Sequence, residues 1–592
     1  MFKEILSKKS VNRYVPSIGW MRTYRREWLR DDLISGVVVG MIMVPVAMAY
    51  AQMAGVPPQA GLYSAIVGMT AYAIFATSRH MKVTTSSTMS IMSLAVVAPL
   101  AAGDPASLMA LTSALAITVG VILLVLSLLK LGFISDFLAK SVMTGYVFGV
   151  ALLIAMSQLP KVFGVSGGSG NFFEQLAQLI SKLPQTNVYS LMLGVGAITL
   201  IFAIKRFFPL VPGALIALIL GIIVTSYFDL NALYGVSIVG TIPTGMPVPG
   251  FPKIDLNMIP FLVGGAAGIV FLAAGETLGT GRTYAAKYHY DIDADQELLA
   301  MGAANITSGL FRGITIDMSL SNTASGEDAG ERTQLSSLVS AGLILLVVLF
   351  LAPLLRNLPT AVLGAIVLSS ILGLFNISEF KRYYSQRKTD FALALTALAG
   401  VMASDVMTGL MLAVLLSLVM LLYRASRPYI AVLGKRPGAP GEYADISRNK
   451  EAQQVPGLVI LRLDAPIYFF NANVARTQIL ERMRTDHPQA ILLDLGASAD
   501  LDIGTSDMLQ SLTSDLRQAG IDLLFSQVRS SVRDRMRLTG LLDHIGANHI
   551  YSTVDAAVKA YESGVKRKSR KKVSSLPGNE EVFPIPPAPP AS

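Results

Sequence analysis

Long apolar runs recur between Leu33 and Tyr423 with only short breaks, and no other feature limits the fold of this chain as strongly. A helix needs about 20 predominantly apolar residues to cross the hydrocarbon core of a bilayer. Only 15% of the 592 residues are charged, whereas about 25% is usual in soluble domains. Most of that charge lies before and after the apolar runs. The sequence therefore predicts an α-helical polytopic membrane protein with a soluble tail.

The polar breaks separate fourteen apolar segments. Their approximate bounds are 33–53, 62–76, 86–100, 108–129, 140–159, 189–205, 211–229, 260–275, 297–311, 318–326, 335–352, 359–375, 389–403 and 407–423. The third and the tenth are among the shortest, and both begin in Ser- and Thr-rich sequence rather than in Leu and Ile. Short, polar-headed segments at corresponding places in two halves indicate an inverted repeat of seven plus seven segments with broken helices.

The distribution of basic residues predicts the orientation. If the N-terminus is inside, the inner connections carry most of the Lys and Arg residues, as the positive-inside rule requires. Residues 1–32 are basic and lack the apolar stretch of a signal peptide, so we expect this segment to be cytoplasmic. An even number of crossings then places the C-terminus in the cytoplasm too. The expected location is the inner (plasma) membrane.

The composition changes after Arg427. We assign 33–427 to the transmembrane domain, 428–455 to a Gly- and Pro-rich linker, 456–565 to a small α/β domain and 566–592 to a disordered basic and Pro-rich tail. The expected strands of the α/β domain are Leu458–Leu463, Ile467–Phe470, Ala490–Leu495 and Ile521–Ser526. No Gly-rich phosphate-binding loop of the Walker or Rossmann type is present in the sequence.

Glu276 is the clearest ionisable residue in an apolar segment, and such residues point to function in membrane proteins. Its carboxylate could carry a proton or bind a cation, with Thr280 one turn further along the same helical face. The alternative is an interfacial Glu whose side chain reaches water, and the surrounding Gly and Thr residues favour function. For Asp317 we expect an interfacial or capping position.

Two hydroxyl-rich clusters open the third and the tenth segments. The first is Thr84-Thr85-Ser86-Ser87-Thr88, and the second is Ser319-Leu320-Ser321-Asn322-Thr323. A helix that begins inside the membrane turns free N–H groups and a partial positive charge toward whatever lies ahead of it. Two such N-termini that face each other would form an anion site without a permanent countercharge. Either cluster alone would favour ordinary capping, but their matching positions favour binding.

The chain resembles the SulP anion transporters, a family that includes bacterial sulfate and bicarbonate carriers and the animal proteins pendrin and prestin. The opening signature is carried by Asp32-Leu33-Ile34-Ser35-Gly36, Pro45, Ala49-Tyr50-Ala51, Gly55-Val56-Pro57-Pro58 and Gly61-Leu62-Tyr63. Motifs of the ninth and tenth segments are carried by Glu297-Leu298, Gly302, Asn305-Ile306, Gly309-Leu310-Phe311, Ser319-Leu320-Ser321, Gly330 and Thr333-Gln334-Leu335. The α/β tail resembles the STAS domain of that family.

The resemblance implies a core domain of segments 1–4 and 8–11 and a gate domain of segments 5–7 and 12–14. It also implies substrate binding between the third and tenth half-helices, elevator-type movement of core against gate, and a homodimer. This chain departs from the family pattern at two pocket positions, with Val46 where many members have Gln and Asn322 where many have Arg. Both departures concern the identity of the substrate.

We therefore predict a secondary active transporter of a small inorganic anion, most readily sulfate, with proton-coupled symport. The substrate-binding residues expected are Tyr50, Gln52, Thr85, Ser86, Ser87, Ser319, Ser321, Asn322 and Thr323, and the coupling-ion residues are Glu276 and Thr280. A sodium-coupled bicarbonate or dicarboxylate carrier is the alternative, and a membrane-anchored STAS sensor or scaffold is an alternative of another class. We expect no catalytic residue, cofactor, metal or nucleic-acid partner; the partners expected are the anion, a proton or sodium ion, and the lipid bilayer.

Overall fold

The computed structural model describes residues 15–132, 139–168, 170–208, 211–404 and 406–573. Residues 1–14 of the expected N-terminal segment and 574–592 of the expected tail therefore lie outside the described part of the chain. Two compact units are present, Met1–Leu418 and Val419–Ser592. The first contains the apolar segments, of which the last continues past Leu418, and the second contains the α/β pattern.

The first unit is helical apart from two short strands. Its elements are α1 (Ser17–Arg22), α2 (Trp28–Met53), α3 (Pro58–Phe75), β1 (Val83–Thr84), α4 (Ser87–Ala101), α5 (Pro105–Leu128), α6 (Lys140–Phe163), α7 (Phe172–Lys182), α8 (Val188–Phe207), α9 (Gly213–Tyr227), α10 (Leu230–Tyr234), α11 (Ile259–Tyr288), α12 (Ala294–Leu310), β2 (Asp317–Met318), α13 (Leu320–Asp328), α14 (Leu335–Leu346), α15 (Thr360–Ile371), α16 (Ile377–Gln386), α17 (Lys388–Ala403) and α18 (Val406–Ala425). Each of the fourteen predicted segments overlaps one of these helices, and α1, α7, α10 and α16 lie between or before them.

Six helices are long and apolar enough to cross a membrane by length and composition: Trp28–Met53, Pro105–Leu128, Lys140–Phe163, Val188–Phe207, Leu256–Tyr288 and Leu335–Asn357. The last two include short 3₁₀ or π turns beside α11 and α14. Four of the shorter helices are apolar as well, namely Ser87–Ala101, Gly213–Tyr227, Thr360–Ile371 and Met411–Ala425. The described part of the chain thus has the composition of a polytopic membrane protein.

The helices pack in the two groups that the family resemblance implies. In one group α5 and α3 pack on α12, and α2 packs on α14; in the other, α6 packs on α17 and α15. Glycine allows the closest crossings, because it brings two backbones together without a Cβ between them. A Cβ on Gly120 would lie 2.6 Å from the Gly302 carbonyl oxygen, and one on Gly145 would lie 1.9 Å from that of Ala394.

The two halves meet in a ladder of two residues on each side. β1 and β2 are antiparallel, with Val83 opposite Met318 and Thr84 opposite Asp317. Each strand leads within three residues into one of the two short helices, α4 and α13. Antiparallel strands run in opposite directions, so the two helices leave the ladder in opposite directions and both N-termini face it. The inverted repeat is confirmed, with the ladder at its centre.

The second unit contains a six-stranded sheet of order β4-β3-β5-β6-β7-β8. Its elements are β3 (Ile430–Lys435), β4 (Tyr443–Asp445), β5 (Leu458–Leu463), α19 (Ala472–Asp486), β6 (Ala490–Asp494), α20 (Ile503–Gln518), β7 (Asp522–Ser526), α21 (Ser530–Leu538), α22 (Leu541–Ile545), β8 (Ile550–Tyr551) and α23 (Val554–Val573). Strands β5 to β8 are parallel, whereas β3 is antiparallel to β4 and β5. Helices α19 to α22 cover one face and α23 covers the other, each over its own apolar cluster.

Three predictions for this unit differ from the structure. Residues 428–455 do not form only a linker, because they contain β3 and β4, which extend the sheet. The predicted strand Ile467–Phe470 is a turn, in which the Tyr468 N–H donates to the Asn471 Oδ1 at 2.9 Å. Residues 566–573 of the expected disordered tail continue α23.

Candidate functional site

The N-termini of α4 and α13 supply backbone donors on either side of the ladder. Ser86 caps α4 by accepting from the Met89 N–H at 3.2 Å, and Ser319 caps α13 by accepting from the Asn322 N–H at 3.4 Å. The first N–H groups of a helix have no acceptor within it. The caps do not use the N–H groups of Ser87 and Ser321, which are among the groups directed toward the ladder. The sequence predicts the anion in this region.

Tyr50 brings α2 to this region. Its buried side chain lies beside the hydroxyl groups of Ser87, at the start of α4, and of Ser370, at the end of α15. Residues of both helix groups therefore meet at one predicted site residue. Gln52 lies two residues further along α2, and its Oε1 is buried without a hydrogen-bond donor among the described residues.

Two threonines beside α4 have buried hydroxyl groups without a partner. Within the described residues, neither Thr84 Oγ1 nor Thr85 Oγ1 has a hydrogen-bond partner in the protein, and both residues are 0% exposed. Buried polar groups are normally hydrogen-bonded, so two unpaired hydroxyl groups at one place indicate a site for a polar ligand. Together with the free N–H groups, they give this region donors that a small polar ligand can use.

Asn322 and Thr323 of α13, which are predicted to bind the substrate, already form hydrogen bonds within the protein. The Asn322 Nδ2 donates to the Ser319 Oγ at 2.8 Å, and the Thr323 Oγ1 accepts from the Lys82 N–H at 3.0 Å. The Thr323 N–H in turn donates to the Ser319 carbonyl at 2.9 Å. These contacts hold the first turn of α13 against β1. Ser321 is exposed and leaves the open side of the N-terminus accessible.

Glu276 lies on α11 beside a second carboxyl group, that of Asp317 in β2. Asp317, for which the sequence predicts an interfacial or capping position, is 0% exposed and stands opposite Thr84 in the ladder. The Asp317 Oδ1 accepts from the Thr277 Oγ1 at 3.3 Å and from the Met318 N–H at 2.6 Å. Thr280, predicted to share a cation with Glu276, lies one turn further on α11. The structure thus brings Asp317 and Thr277 close to the residues that the sequence predicts for the coupling ion.

The segment that leads into α13 is clamped by side chains of the neighbouring helices. Asn305 of α12 accepts from the Ile316 N–H and donates to the Ile316 carbonyl, both at 3.0 Å. Ser64 of α3 accepts from the Ile314 N–H at 2.8 Å. A clamp on both polar groups of one residue fixes the direction in which β2 enters the ladder.

The segment that leads into α4 is held by a buried charge pair. The Lys82 Nζ lies 2.7 Å from the Glu331 Oε2, and both side chains are 0% exposed. The same Nζ donates to Ser336 and, at 3.0 Å, to the Ser337 Oγ. Because Glu331 neutralises the charge of Lys82, the polar groups at the nearby helix N-termini are backbone N–H and hydroxyl groups rather than this cation.

An aromatic stack covers the loop before β1. The ring of His80 lies 4.2 Å from that of Tyr288 and 5.6 Å from that of Tyr290. Burial, reinforced by the charge of Lys82, lowers the pKa of His80 to about 4. The imidazole is therefore neutral at pH 7 and adds no charge to the site.

Sequence reasoning missed the pairing of Glu276 with Asp317 and of Lys82 with Glu331. All four are ionisable residues next to half-helices, and this proximity was the available signal. What the sequence lacks is the ladder register and the helix packing, which bring residues of different repeats together. Among the described residues, no group of three or more His, Cys, Asp or Glu could hold a metal ion.

Comparisons with known proteins identify both parts of the chain. Residues 29–397 match the model of the sulfate permease family, and residues 449–557 match that of the STAS domain. A probable sulfate transporter of Mycobacterium tuberculosis is 35% identical over 93% of this chain and 98% of its own length. Sulfate transporter 3.1 of Arabidopsis thaliana is 29% identical over 92% of this chain and 87% of its own.

Solved structures share the fold. The murine Solute Carrier 26 family member A9 anion transporter, in an inward-facing state, superposes with a TM-score of 0.86 over 94% of this chain and 95% of its own, at 22% identity. The transmembrane domain of a cyanobacterial bicarbonate transporter, BicA, gives a TM-score of 0.58 over 67% of this chain and 98% of its own, at 23% identity.

Proposed function

Because the chain belongs to the sulfate permease family and is a multi-pass anion transporter with a STAS domain, we propose that it carries sulfate by proton-coupled symport. The family is one of transporters, so the chain is not an enzyme. The finer parts of the proposal are the identity of the anion, the identity of the coupling ion and an elevator-type movement of the core domain against the gate domain.

The observation that carries the proposal is the convergence of two helix N-termini on one ladder. Ser87 and Ser321 offer N–H groups there, and Thr85 adds a buried hydroxyl without a partner. An anion gains from such donors and from the two helix dipoles, which need no permanent positive charge. A tetrahedral oxyanion such as sulfate has enough oxygens to accept from both N-termini at once.

Glu276 supports coupling to a cation. An ionised carboxylate beside the anion would repel it, and a bound proton removes that repulsion. Binding of the anion and of the proton then becomes cooperative, and by linkage each favours the other. A sodium ion held by Glu276 and Thr280 would have the same effect. The transport experiment must therefore distinguish sodium coupling from proton coupling.

Uptake by the purified protein in liposomes tests the substrate. Labelled sulfate, bicarbonate and succinate are compared with and without a proton gradient or a sodium gradient, and we expect sulfate accumulation driven by protons. Ser321→Trp should lower sulfate uptake at least tenfold, because the indole fills the open side of the α13 N-terminus. Ser325→Trp, one turn further along the same helix, is the matched control. Normal uptake by Ser321→Trp would place the anion elsewhere.

We further propose that both termini lie on the cytoplasmic side of the plasma membrane, that the chain forms a homodimer, and that the STAS domain regulates transport or assembly. The excess of Lys and Arg in the inner connections supports this orientation. A periplasmic reporter enzyme fused after Tyr443 should be inactive. Activity of that fusion would show that the orientation is opposite to the one proposed.

A further inference from the structure

We propose that Lys161, near the end of α6, is the centre of a second anion site, apart from the ladder. This Lys161 site takes a small inorganic oxyanion of the kind that the chain transports. The inference rests on the proposed function, since it concerns the route by which the anion reaches the ladder. With both termini cytoplasmic, α6 runs outward from Lys140 to Phe163, so Lys161 lies in its outer half. The site then receives the anion from the outer side.

The ammonium group of Lys161 is buried without an acceptor. Its Nζ is enclosed by protein, and among the described residues it has no hydrogen-bond partner. One turn earlier on α6, the buried Gln158 has an Oε1 without a donor in the same part of the chain, although its Nε2 donates to the Ser157 Oγ at 2.9 Å. A buried charge without a partner is costly, and a ligand of opposite charge removes that cost. A hydrated anion satisfies both groups, because the anion accepts from the ammonium and its water donates to the amide oxygen.

The surroundings of α6 provide no carboxylate at the Lys161 end. The elements that pack most extensively against it are α4, α7, α8, α15, α16, α17 and the 3₁₀ turn Leu372–Leu374. Their acidic residues are Glu174, Glu379 and Asp390. Glu379 and Asp390 lie near the Lys140 end of α6, about 30 Å from Lys161 along the helix. Glu174 belongs to the capping box of α7. The positive charge of Lys161 is therefore open to an anion from outside the protein.

Lys161 lies between α15 and the side of α6 that faces α4. A Cβ on Gly364 of α15 would lie 3.3 Å from the Lys161 Cβ and 3.3 Å from the Gln158 carbonyl oxygen. On the same helix, the Tyr146 hydroxyl donates to the Met92 Sδ of α4 at 3.2 Å. Lys161 follows Tyr146 by fifteen residues, which turns it only about 60° around the helix axis. An anion at Lys161 is thus directed toward the half-helix that begins at the ladder.

Lys161 supplies a permanent positive charge that the ladder lacks. Lys82 is neutralised by Glu331, and the ladder offers only N–H and hydroxyl groups to an anion. An ammonium in a low-dielectric environment attracts an anion more strongly than one in water does, and salt weakens the attraction. A site with one charge and few fixed donors binds by charge rather than by shape. The Lys161 site therefore concentrates anions near the ladder without selecting sulfate among divalent anions.

An unpaired buried charge predicts an unusual response of stability. In gluconate buffer of low ionic strength, Lys161→Met should raise the unfolding temperature, because it removes the cost of the charge. Sulfate should raise that of the unmodified protein by binding to the folded state, and Lys161→Met should lose this effect. Lys161→Arg should keep it, and Lys161→Gln is a second neutral variant. Lys182→Met is the matched control, because the Lys182 Nζ already donates to the carbonyls of Ser166 and Gly167 at 3.1 and 3.2 Å.

Sulfate uptake by the full chain in liposomes gives a second measurement. At low ionic strength, Lys161→Met should raise the sulfate concentration of half-maximal uptake about tenfold, because the anion is no longer concentrated near the ladder. The maximal rate should change little. The difference should shrink as the ionic strength is raised, since salt screens the charge. A difference that does not depend on ionic strength would contradict attraction by charge.

A double variant separates the Lys161 site from the ladder. Ser321→Trp should keep the stabilisation by sulfate in lipid-free detergent, and Ser321→Trp/Lys161→Met should lose it. This outcome supports the second site even if the chain transports another anion. Equal stabilisation by sulfate in Lys161→Met, in Lys161→Gln and in the unmodified protein would overturn the Lys161 site and leave the proposed function intact. Stabilisation through Lys161 by added anionic phospholipid, but not by sulfate, would assign the ligand to a lipid headgroup and reject a site for a soluble anion.

Discussion

Single residues without side chains determine how closely the helices of the transport unit approach. Gly61 of α3 faces α2, and a Cβ there would lie 1.9 Å from the Ala47 carbonyl oxygen. No relaxation of a flexible side chain can relieve a contact with backbone. This position therefore depends on glycine for packing rather than for backbone conformation.

Gly61→Ala should lower the free energy of unfolding by about 2 kcal/mol or more, because overpacking forces α2 and α3 apart. Gly264→Ala on α11 is the matched control, since a Cβ there has no atom within 4 Å. Thermal unfolding of both variants in the same detergent measures the difference. Equal transition temperatures would contradict the tight crossing.

Asp502 is a second single residue on which an element depends, because it caps the N-terminus of helix α20 in the STAS domain. It accepts from the N–H groups of Thr505 and Phe469, each at 2.7 Å. Partial burial opposes ionisation, but these hydrogen bonds outweigh it and lower the pKa of Asp502. A lowered pKa stabilises the fold above the ordinary carboxyl pKa of about 3.9, and that stabilisation is lost as the pH falls through the lowered value.

Asp502→Ala should therefore destabilise α20 by about 1 kcal/mol at pH 7 and by less in acid. Amide hydrogen exchange of residues 503–518 in the full chain measures the change at each pH. Asp507→Ala, an exposed position on the same helix, serves as the comparison. Equal protection in the two variants would show that the cap contributes nothing.

The limits of prediction are visible in individual residues. Hydropathy places Glu276 on an apolar helix, and hydroxyl-rich starts identify Ser86 and Ser319 as helix caps, because these signals are local. Asp317 looked interfacial because it stands between two apolar segments. Only the ladder shows that it is buried and lies opposite Thr84. Contacts between repeats depend on register, which one sequence does not encode locally.

Helices and strands also differ in whether the sequence signal that predicts them is local or depends on a distant partner. All fourteen apolar segments were recognised as helices because each carries its own signal of about 20 apolar residues or fewer. Strand β3 was missed because it follows a Pro and adjoins a Gly- and Pro-rich stretch that looks like a linker. Its partner β5 lies beyond that stretch, so the pairing that makes it a strand is not local.

The Lys82–Glu331 pair ties the element before α4 to the element after α13. Breaking a buried pair leaves one uncompensated charge, whereas replacing both partners removes the cost of desolvation as well. Lys82→Met alone should cost about 3–5 kcal/mol of stability. Lys82→Met combined with Glu331→Gln should recover most of it.

Thermal unfolding of the single and double variants in detergent checks this coupling. Asp31 and Arg332 form an exposed pair at 3.4 Å and provide the comparison, because exposed pairs contribute about 0–1 kcal/mol. If Lys82→Met and the double variant unfold at the same temperature, the ion pair does not stabilise the contact between the segment before α4 and the segment after α13.

At the scale of the whole molecule, the boundary between transport unit and STAS domain matters for any truncation. A deletion that begins at residue 456 would leave β3 and β4 without β5, and unpaired strand edges promote aggregation. Ending the chain after Arg427 removes the whole sheet. We expect this truncation to change the transport rate or dimer stability but not the order of preference among sulfate, bicarbonate and succinate.

Competition uptake in liposomes with the full chain and the truncated chain measures that order. The domain has a single α/β sheet without a Gly-rich phosphate loop, which favours a regulatory or assembly role over a part in substrate selection. A changed order of preference in the truncated protein would contradict this division.

The two-residue ladder also imposes an order of events on biosynthesis. β1 leaves the ribosome with the first repeat, but its partner β2 is made only after the remaining helices of that repeat and two helices of the next. At about 5–20 residues per second, translation leaves β1 unpaired for on the order of ten to fifty seconds. During that time α4 is a short membrane helix whose polar start has no lasting partner. We therefore expect that the first seven segments do not mature as a separate folding unit.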